Sequence, residues 1–268
     1  MGDRRRLIVH YWRVWKRLAA MNFAIYSASR IEFFSYTLGK LLRMAFFFVF
    51  VFALFGNTQE IVGYSKGEVL LFFAVMNTLD IALQLIYRGL TQIPTTIRTG
   101  ELDLILVRPI SPFFWTAFRI FDFYDLTTVP ATIFFVWYAI HSLSAPLSLE
   151  QIFFGCVFWI LSFILSILIN ILIAASAFWI TEIENGVCLY RDLVYMARFP
   201  PEVFPSGVQW VFMTILPILV ITSFPTKALL NRLTLGEGIW AFVLVIGLGI
   251  FTRHVWIKAI RHYSSASA

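Results

Sequence analysis

Charge is scarce in this sequence. Only 13% of its 268 residues are Asp, Glu, Lys or Arg, where soluble domains carry roughly 25%. A chain that is 60% hydrophobic cannot coat a water-facing globule with so little charge, because large apolar patches would be left in water. Cysteine is nearly absent. Cys156 and Cys188 lie in or beside apolar runs, so there is no disulfide framework, and each thiol reads as a small hydrophobe. The four histidines, His10, His141, His254 and His262, are scattered without an HExxH pair, which speaks against a zinc site. A GxxxxGK[ST] phosphate loop is missing, since Gly39-Lys40 is followed by Leu41 and has no upstream glycine. A GxSxG elbow, a TVGYG-like filter and voltage-sensor arginine spacing are missing too. These gaps exclude an ATPase, a hydrolase or an ion channel acting alone. Acidic residues are fewer than basic ones, 15 against 21. The surplus clusters at the ends of apolar runs, as in membrane orientation, not along a nucleic-acid face.

What is present is long apolar segments, and they predict an all-α polytopic membrane protein. A spanning helix needs about 20 mostly apolar residues. Residues 1–30 form a cytoplasmic N-terminus and an interfacial elbow helix. Arg4-Arg5-Arg6 resembles the start of a signal peptide, but Arg13, Lys16 and Arg17 interrupt the apolar run that a signal peptide needs. Leu7, Ile8, Tyr11, Trp12, Trp15, Leu18 and Ala19 recur at helical spacing instead, giving a basic amphipathic helix with tryptophans. Residues 31–258 form a single transmembrane domain and residues 259–268 a cytoplasmic tail. The first span runs from Phe33 to Phe55, with Lys40 and Arg43 snorkelling to the near headgroups. The second runs from about Val69 to Leu90, the third from Phe118 to Ile140, the fourth from Ile152 to Ile180, and the last from Gly238 to Trp256.

The stretch 181–237 is the least regular. Pro200, Pro201 and Pro205 break helices, and the apolar run Val208–Phe224 is interrupted by Pro217 and closed by Pro225. The N-terminus, the 88–119 segment and the C-terminus are basic, whereas the 57–68 and 141–149 loops are not. Both termini and the 91–115 loop are therefore expected in the cytoplasm, which requires an even number of crossings. Six is the preferred count, with a fifth crossing near 183–199 and 206–236 re-entering before the last span. In the other arrangement 206–224 is itself the fifth crossing and 181–205 a cytoplasmic hairpin.

The most informative segment is Gly100-Glu101-Leu102-Asp103-Leu104-Ile105-Leu106-Val107-Arg108-Pro109. Gly100 suits a left-handed helix end, Pro109 fixes the exit, and Leu102, Ile105 and Leu106 at i, i+3, i+4 make a short amphipathic helix able to dock in a groove. Glu101, Asp103 and Arg108 remain for polar contact. This run resembles the G-x-L-D-x-x-L-x-R-P loop that comes after the second span in permeases of the ABC-type-2 exporter family. The elbow helix, the six crossings, the Phe199–Pro205 bend and the prolines at 217 and 225 are similar to the same family. The ending Arg261-His262-Tyr263-Ser264-Ser265-Ala266 resembles that of a branch with two unequal permeases and a separate ATPase, without its final glycine. The resemblance implies a permease of the bacterial inner membrane that binds no cofactor itself. A partner ATPase holds ATP and magnesium, and a second permease, more readily a different chain than a copy, completes the pathway. Gly100, Glu101, Leu102, Asp103, Arg108 and Pro109 would couple the ATPase to the spans, and the cargo would be a hydrophobic or amphipathic compound.

Some polar residues inside the spans call for a role. Asp80 lies in mid-span near Asn77 and Gln84, as a pathway or subunit-interface site or as the partner of a Lys or Arg from a neighbouring helix. Arg119 and Asp122, at i, i+3, are expected to pair with each other. Glu182, Glu184, Arg191 and Asp192 are candidates for a network between the fourth and fifth spans, or for a solvated turn. An intramembrane acid at Asp80 also sustains a second functional class, a stand-alone membrane enzyme or lipid scramblase.

Overall fold

The computed structural model of the chain describes residues 2–28, 30–180 and 184–263. Helix α1 (Gly2–Ala28) is followed by α2 (Arg30–Leu54), a small hairpin of β1 (Glu60–Ile61) and β2 (Tyr64–Ser65), and α3 (Lys66–Tyr87). A 3-10 turn, Arg88–Gln92, carries α3 into three short helices, α4 (Ile93–Arg98), α5 (Glu101–Leu106) and α6 (Pro112–Phe118). A second 3-10 turn, Phe123–Thr128, leads into α7 (Val129–His141), then α8 (Leu149–Ser176) and α9 (Glu184–Val194). Helices α10 (Ser206–Trp210) and α11 (Ile218–Leu229), joined by one π-helical turn, precede α12 (Leu235–His262). Among the described residues five helices are long and apolar enough to cross a membrane, and a sixth crossing is counted if the bent pair 206–215 and 218–229 is one span. The chain is therefore helical and polytopic. The β1–β2 pairing, Glu60 with Ser65 and Ile61 with Tyr64, is a small departure from an all-α expectation.

Three span helices start with the same local device. Ser65 with Glu68, Ser148 with Gln151 and Thr234 with Glu237 form capping boxes at the starts of α3, α8 and α12. Each satisfies two backbone N–H groups that the helix cannot bond itself. All three starts lie at the end of the bundle that carries the hairpin, since Arg232 bonds both Glu68 and the Gly63 carbonyl and Gly67 abuts Ser142 after α7. The opposite end carries α4, α5 and α6, with α1 laid along them. There Tyr11 meets Phe114, Trp15 meets Phe121, and Asn22 donates to the Arg119 carbonyl.

Helix α3 is the centre of the bundle. Residues Val69 to Met76 are all buried, and Phe73 stacks on Phe47 of α2 with ring centroids 4.1 Å apart. Helix α8 packs against α11, α12 and α3. By contrast α2 and α12 turn much of their surface outward, exposing Phe34, Phe46, Val49, Ile246 and Ile250. Such a shell is stable against hydrocarbon, where exposed apolar side chains cost nothing and backbone groups are satisfied within each helix. Close approach at the α5 end depends on Gly89. A Cβ there would strike the Thr116 and Ala117 carbonyl oxygens, so Gly89→Ala is expected to destabilise the bundle by about 1–3 kcal/mol, read as a lower unfolding midpoint in detergent.

Several boundaries differ from those expected. Helical structure after α3 continues as short pieces to Arg98. The third span is not one helix from residue 118. Residues 119–122 are irregular, 123–128 form a 3-10 turn, and the α-helix starts only at Val129, with Pro130 in its first turn. Helix α9, of 11 residues, is about 16 Å long, too short to cross alone. It continues through the 3-10 turn Tyr195–Arg198. Along the way Tyr190 shares a cavity with Asn170, Phe199 packs on Phe47 at 5.5 Å, and Glu202 reaches Lys227 at 2.8 Å. The pair 206–215 and 218–229 bends by 93° at Leu216-Pro217. There Pro217 cannot donate a backbone hydrogen bond.

Candidate functional site

The loop helix singled out in the sequence stands at one end of the bundle. Gly100 has φ 73°, a left-handed conformation that glycine adopts without the Cβ penalty. It lets the chain turn directly from α4 into α5. Leu102 and Ile105 are buried, whereas Leu104 and Val107 are 64% and 80% exposed. The apolar face expected to dock on a partner is thus split: Leu102 and Ile105 anchor α5 to its own bundle, Leu106 is exposed, and Leu104 and Val107 are the most uncovered apolar positions. Glu101 is held by Arg119 at 2.9 Å, and the Arg108 guanidinium lies 4.1 Å over the Trp115 ring. Asp103 is half-buried and Pro109 exposed.

From Arg119 the chain leads into a cluster of charges inside the bundle. Asp122 and Asp125 project from the irregular start of the third span and are almost fully buried. Asp122 takes an ion pair from Arg88 at 3.2 Å, and Arg88 also donates to Gln84 at 2.9 Å. Asp125 is paired with Lys40 of α2, whose ammonium also lies 3.8 Å from Asp80. The Tyr36 hydroxyl is 3.2 Å from both Asp122 and Asp125. An ionisable group at span centre costs about 2.5–3.5 kcal/mol on insertion scales. Mutual pairing of two cations with three carboxylates offsets much of that cost.

The expected pair Arg119–Asp122 therefore does not form. Arg119 turns to α5 and Asp122 to Arg88 at the start of the 3-10 turn after α3, because the backbone between them leaves helical geometry and the i, i+3 spacing no longer brings the side chains together. Asp80 has the neighbouring-helix partner that was one of its two readings. Asn77 donates to the Phe73 carbonyl of its own helix, and Gln84 joins Arg88. Snorkelling fails for Lys40 and Arg43 of α2. Lys40 turns inward, and Arg43, near the middle of the 25-residue helix, donates to the Tyr195 hydroxyl at 2.6 Å. Of the 182–192 candidates, Glu182 and the Glu184 side chain lie outside the described residues. Arg191 lines a cavity and Asp192 is exposed, with no ion pair between them.

That cavity, of about 290 Å³, lies between α3, α8 and α9 and is lined by Asp80, Gln84, Arg88, Asn170, Tyr190 and Arg191. It adjoins the charge cluster at Asp80 and Arg88. A second, apolar hollow of about 790 Å³ opens at the hairpin end between α3, α7 and α8, with Val75, Val136 and Trp159 in its wall. Among the described residues no group of three His, Cys, Asp or Glu side chains is placed to hold a metal.

Residues 41–267 match the family model described as ABC-2 family transporter protein. The chain belongs to the ABC-2 transporter family. Comparisons with curated proteins and with solved structures returned no match. Membership makes this ABC-2 protein a membrane component of a transporter, not an enzyme in its own right, and implies association with an ABC ATPase.

In this ABC-2 protein the hairpin end carries a second polar knot. Lys227 of α11 is paired with Glu202 at 2.8 Å and with Glu237 at 2.7 Å. The Tyr64 phenol beside Glu202 is pushed up to about 12, mainly by burial and then by the Glu202 carboxylate. In the sequence alone Lys227, Lys40, Arg88 and Asp125 do not stand out as functional positions. A signal existed for some: Tyr36 and Lys40 are at i, i+4, and Asp80, Gln84 and Arg88 at i, i+4, i+8, each set on one helix face.

Proposed function

We propose that the chain is the permease subunit of an ATP-driven exporter of a hydrophobic or amphipathic compound in the bacterial inner membrane. In this reading two permeases, different rather than identical, form the pathway. Both termini and α5 face the cytoplasm, and 184–202 is the fifth crossing, with 206–229 re-entering from outside. The observation that carries the reading is the position of α5. It is rooted by Leu102 and Ile105, it presents Leu104 and Val107 outward, and it is joined through Arg119 to the segment that bears Asp122 and Asp125. A push on such a helix is passed to α2 and α3 through charged pairs. ATP binding by the partner subunits would then bias the permease between two arrangements by differential contact with α5. The alternative of an intramembrane acid at Asp80 gains nothing from the geometry, since Lys40 faces that carboxylate.

Affinity capture of the tagged chain from native membranes tests the reading, and an ABC ATPase subunit is expected in the eluate. In the captured complex, Glu101→Ala with Asp103→Ala is expected to lower transport per ATP hydrolysed by roughly tenfold, about 1.4 kcal/mol of lost coupling, while the chain stays folded. Recovery without any ATPase, or unaltered coupling in that variant, would overturn it.

A further inference from the structure

Besides the paired charges, the bundle holds arginines that meet no carboxylate among the described residues. Arg43 sits near the middle of α2 and is exposed. Its guanidinium donates to the Tyr195 hydroxyl at 2.6 Å and lies 4.9 Å over that ring. Arg198 lies over the same ring at 4.1 Å, and its Nε is buried without a hydrogen-bond partner. Arg191, Tyr195 and Arg198 recur at i, i+4, i+7, one face of a helix. Arg191 and Tyr195 both line the 290 Å³ cavity. Asp80 is near enough to act electrostatically on Arg198, but Lys40 already engages it. Among the described residues, none of the three arginines has an acidic partner.

Unpaired cations at this depth are costly against lipid, and a tyrosine ring shared by two guanidinium groups does not neutralise them. A face that keeps such charge in a membrane protein must meet water, an anion or an acidic surface. Arg43 and Arg198 meet at the Tyr195 ring, and Arg191, about one helical turn before that tyrosine, lines the cavity together with Tyr190 and Tyr195. Guanidinium forks match phosphate and carboxylate oxygens in pairs, and the neighbouring rings suit an apolar tail. We infer that Arg191, Arg198 and Arg43 form a recognition track for the anionic headgroup of an amphipathic molecule, a phosphate or carboxylate on an apolar chain. The inference rests on the permease reading and adds the charge class of its cargo. The same headgroup chemistry belongs to a resident membrane lipid or to a transported compound.

The test uses the full chain in phosphatidylcholine nanodiscs and a dodecyl phosphate carrying a fluorophore on its tail. Unlabelled dodecyl phosphate and laurate are expected to displace the probe, and dodecyltrimethylammonium is not. Arg43→Gln with Arg198→Gln is expected to weaken binding about tenfold or more, and the Arg→Lys pair to recover part of the loss. Should the glutamine pair fail to fold, Arg191→Gln, an exposed position, carries the test with a smaller loss in the same direction. Equal displacement by the cationic amphiphile, or unchanged binding in the glutamine variants, overturns the track. So does a change of oligomeric state with amphiphile binding intact, which would assign the arginines to a subunit contact. Two further readings separate the sources. ATP-dependent loss of the probe from the donor side of vesicles holding the assembled transporter marks a cargo, and a phosphate lipid co-purified in stoichiometric amount marks a resident. Failure here leaves the α5 variants untouched, so the permease reading stands or falls on its own experiment.

Discussion

Replacing Lys40 by methionine is expected to cost the folded chain about 3–5 kcal/mol, the usual penalty for breaking one side of a buried ion pair. Lys40 is 14% exposed and Asp125 wholly enclosed. The variant would leave the Asp125 carboxylate with only the Tyr36 hydroxyl, since its Oδ2 has no hydrogen-bond partner. Asp125→Asn alone strands the ammonium less severely, because Asp80 lies 3.8 Å away and faces a cavity. The double variant Lys40→Met, Asp125→Asn removes both charges and is expected to regain most of the stability. Denaturant unfolding of the four proteins in one detergent gives the coupling energy directly. Equal midpoints for wild type and Lys40→Met would show that the pair does not hold α2 to the third span.

The second large effect is expected at the far side of the same relay. Leu104→Asp with Val107→Asp places two charges on the part of α5 that the bundle leaves uncovered. Apolar anchors at the centre of an interface commonly carry about 2 kcal/mol or more of binding. The double variant should therefore lose at least about 30-fold in affinity for the ATPase subunit while retaining its unfolding midpoint. Leu102→Asp is the contrasting case. That side chain is buried against the bundle, so its replacement should lower the midpoint as well. Capture of the ATPase by the Leu104/Val107 variant at wild-type strength would place the docking surface elsewhere.

Hydropathy located the span-capable helices because a run of about 20 apolar residues has few alternatives. The ends of the loop helix were legible for a similar reason: Gly100 is one of few residues that accept φ 73°, and Pro109 stops the helix from running on. The bend at 216–217 was marked by Pro217. Partnerships between helices were not legible. Whether Lys40 faces headgroups or Asp125 depends on the rotation of α2 against α3 and the third span, and a one-dimensional pattern holds no record of rotation. Arg119 and Asp122 show the same limit. Their spacing implied a pair only on the assumption of helix, and the chain at 119–122 is not helical. The apolar run likewise hides that Arg43 falls near the midpoint of α2 and not at its end.

Helix α11 has a consequence for how the protein is made. Every residue from Ile218 to Ala228 is buried, yet the segment includes Thr222, Ser223, Thr226 and Lys227, a composition poorly suited to lipid. One carboxylate that holds Lys227, Glu202, is synthesised before it, and the other, Glu237, after it. Walls for α11 come from α3 and α8, and α12 closes over α8. A nascent chain halted before residue 235 would expose a half-neutralised lysine and a polar helix with no completed pocket to receive it. Quality control in the membrane therefore has a chemical mark of incompleteness to read, and it is erased only when the last helix arrives.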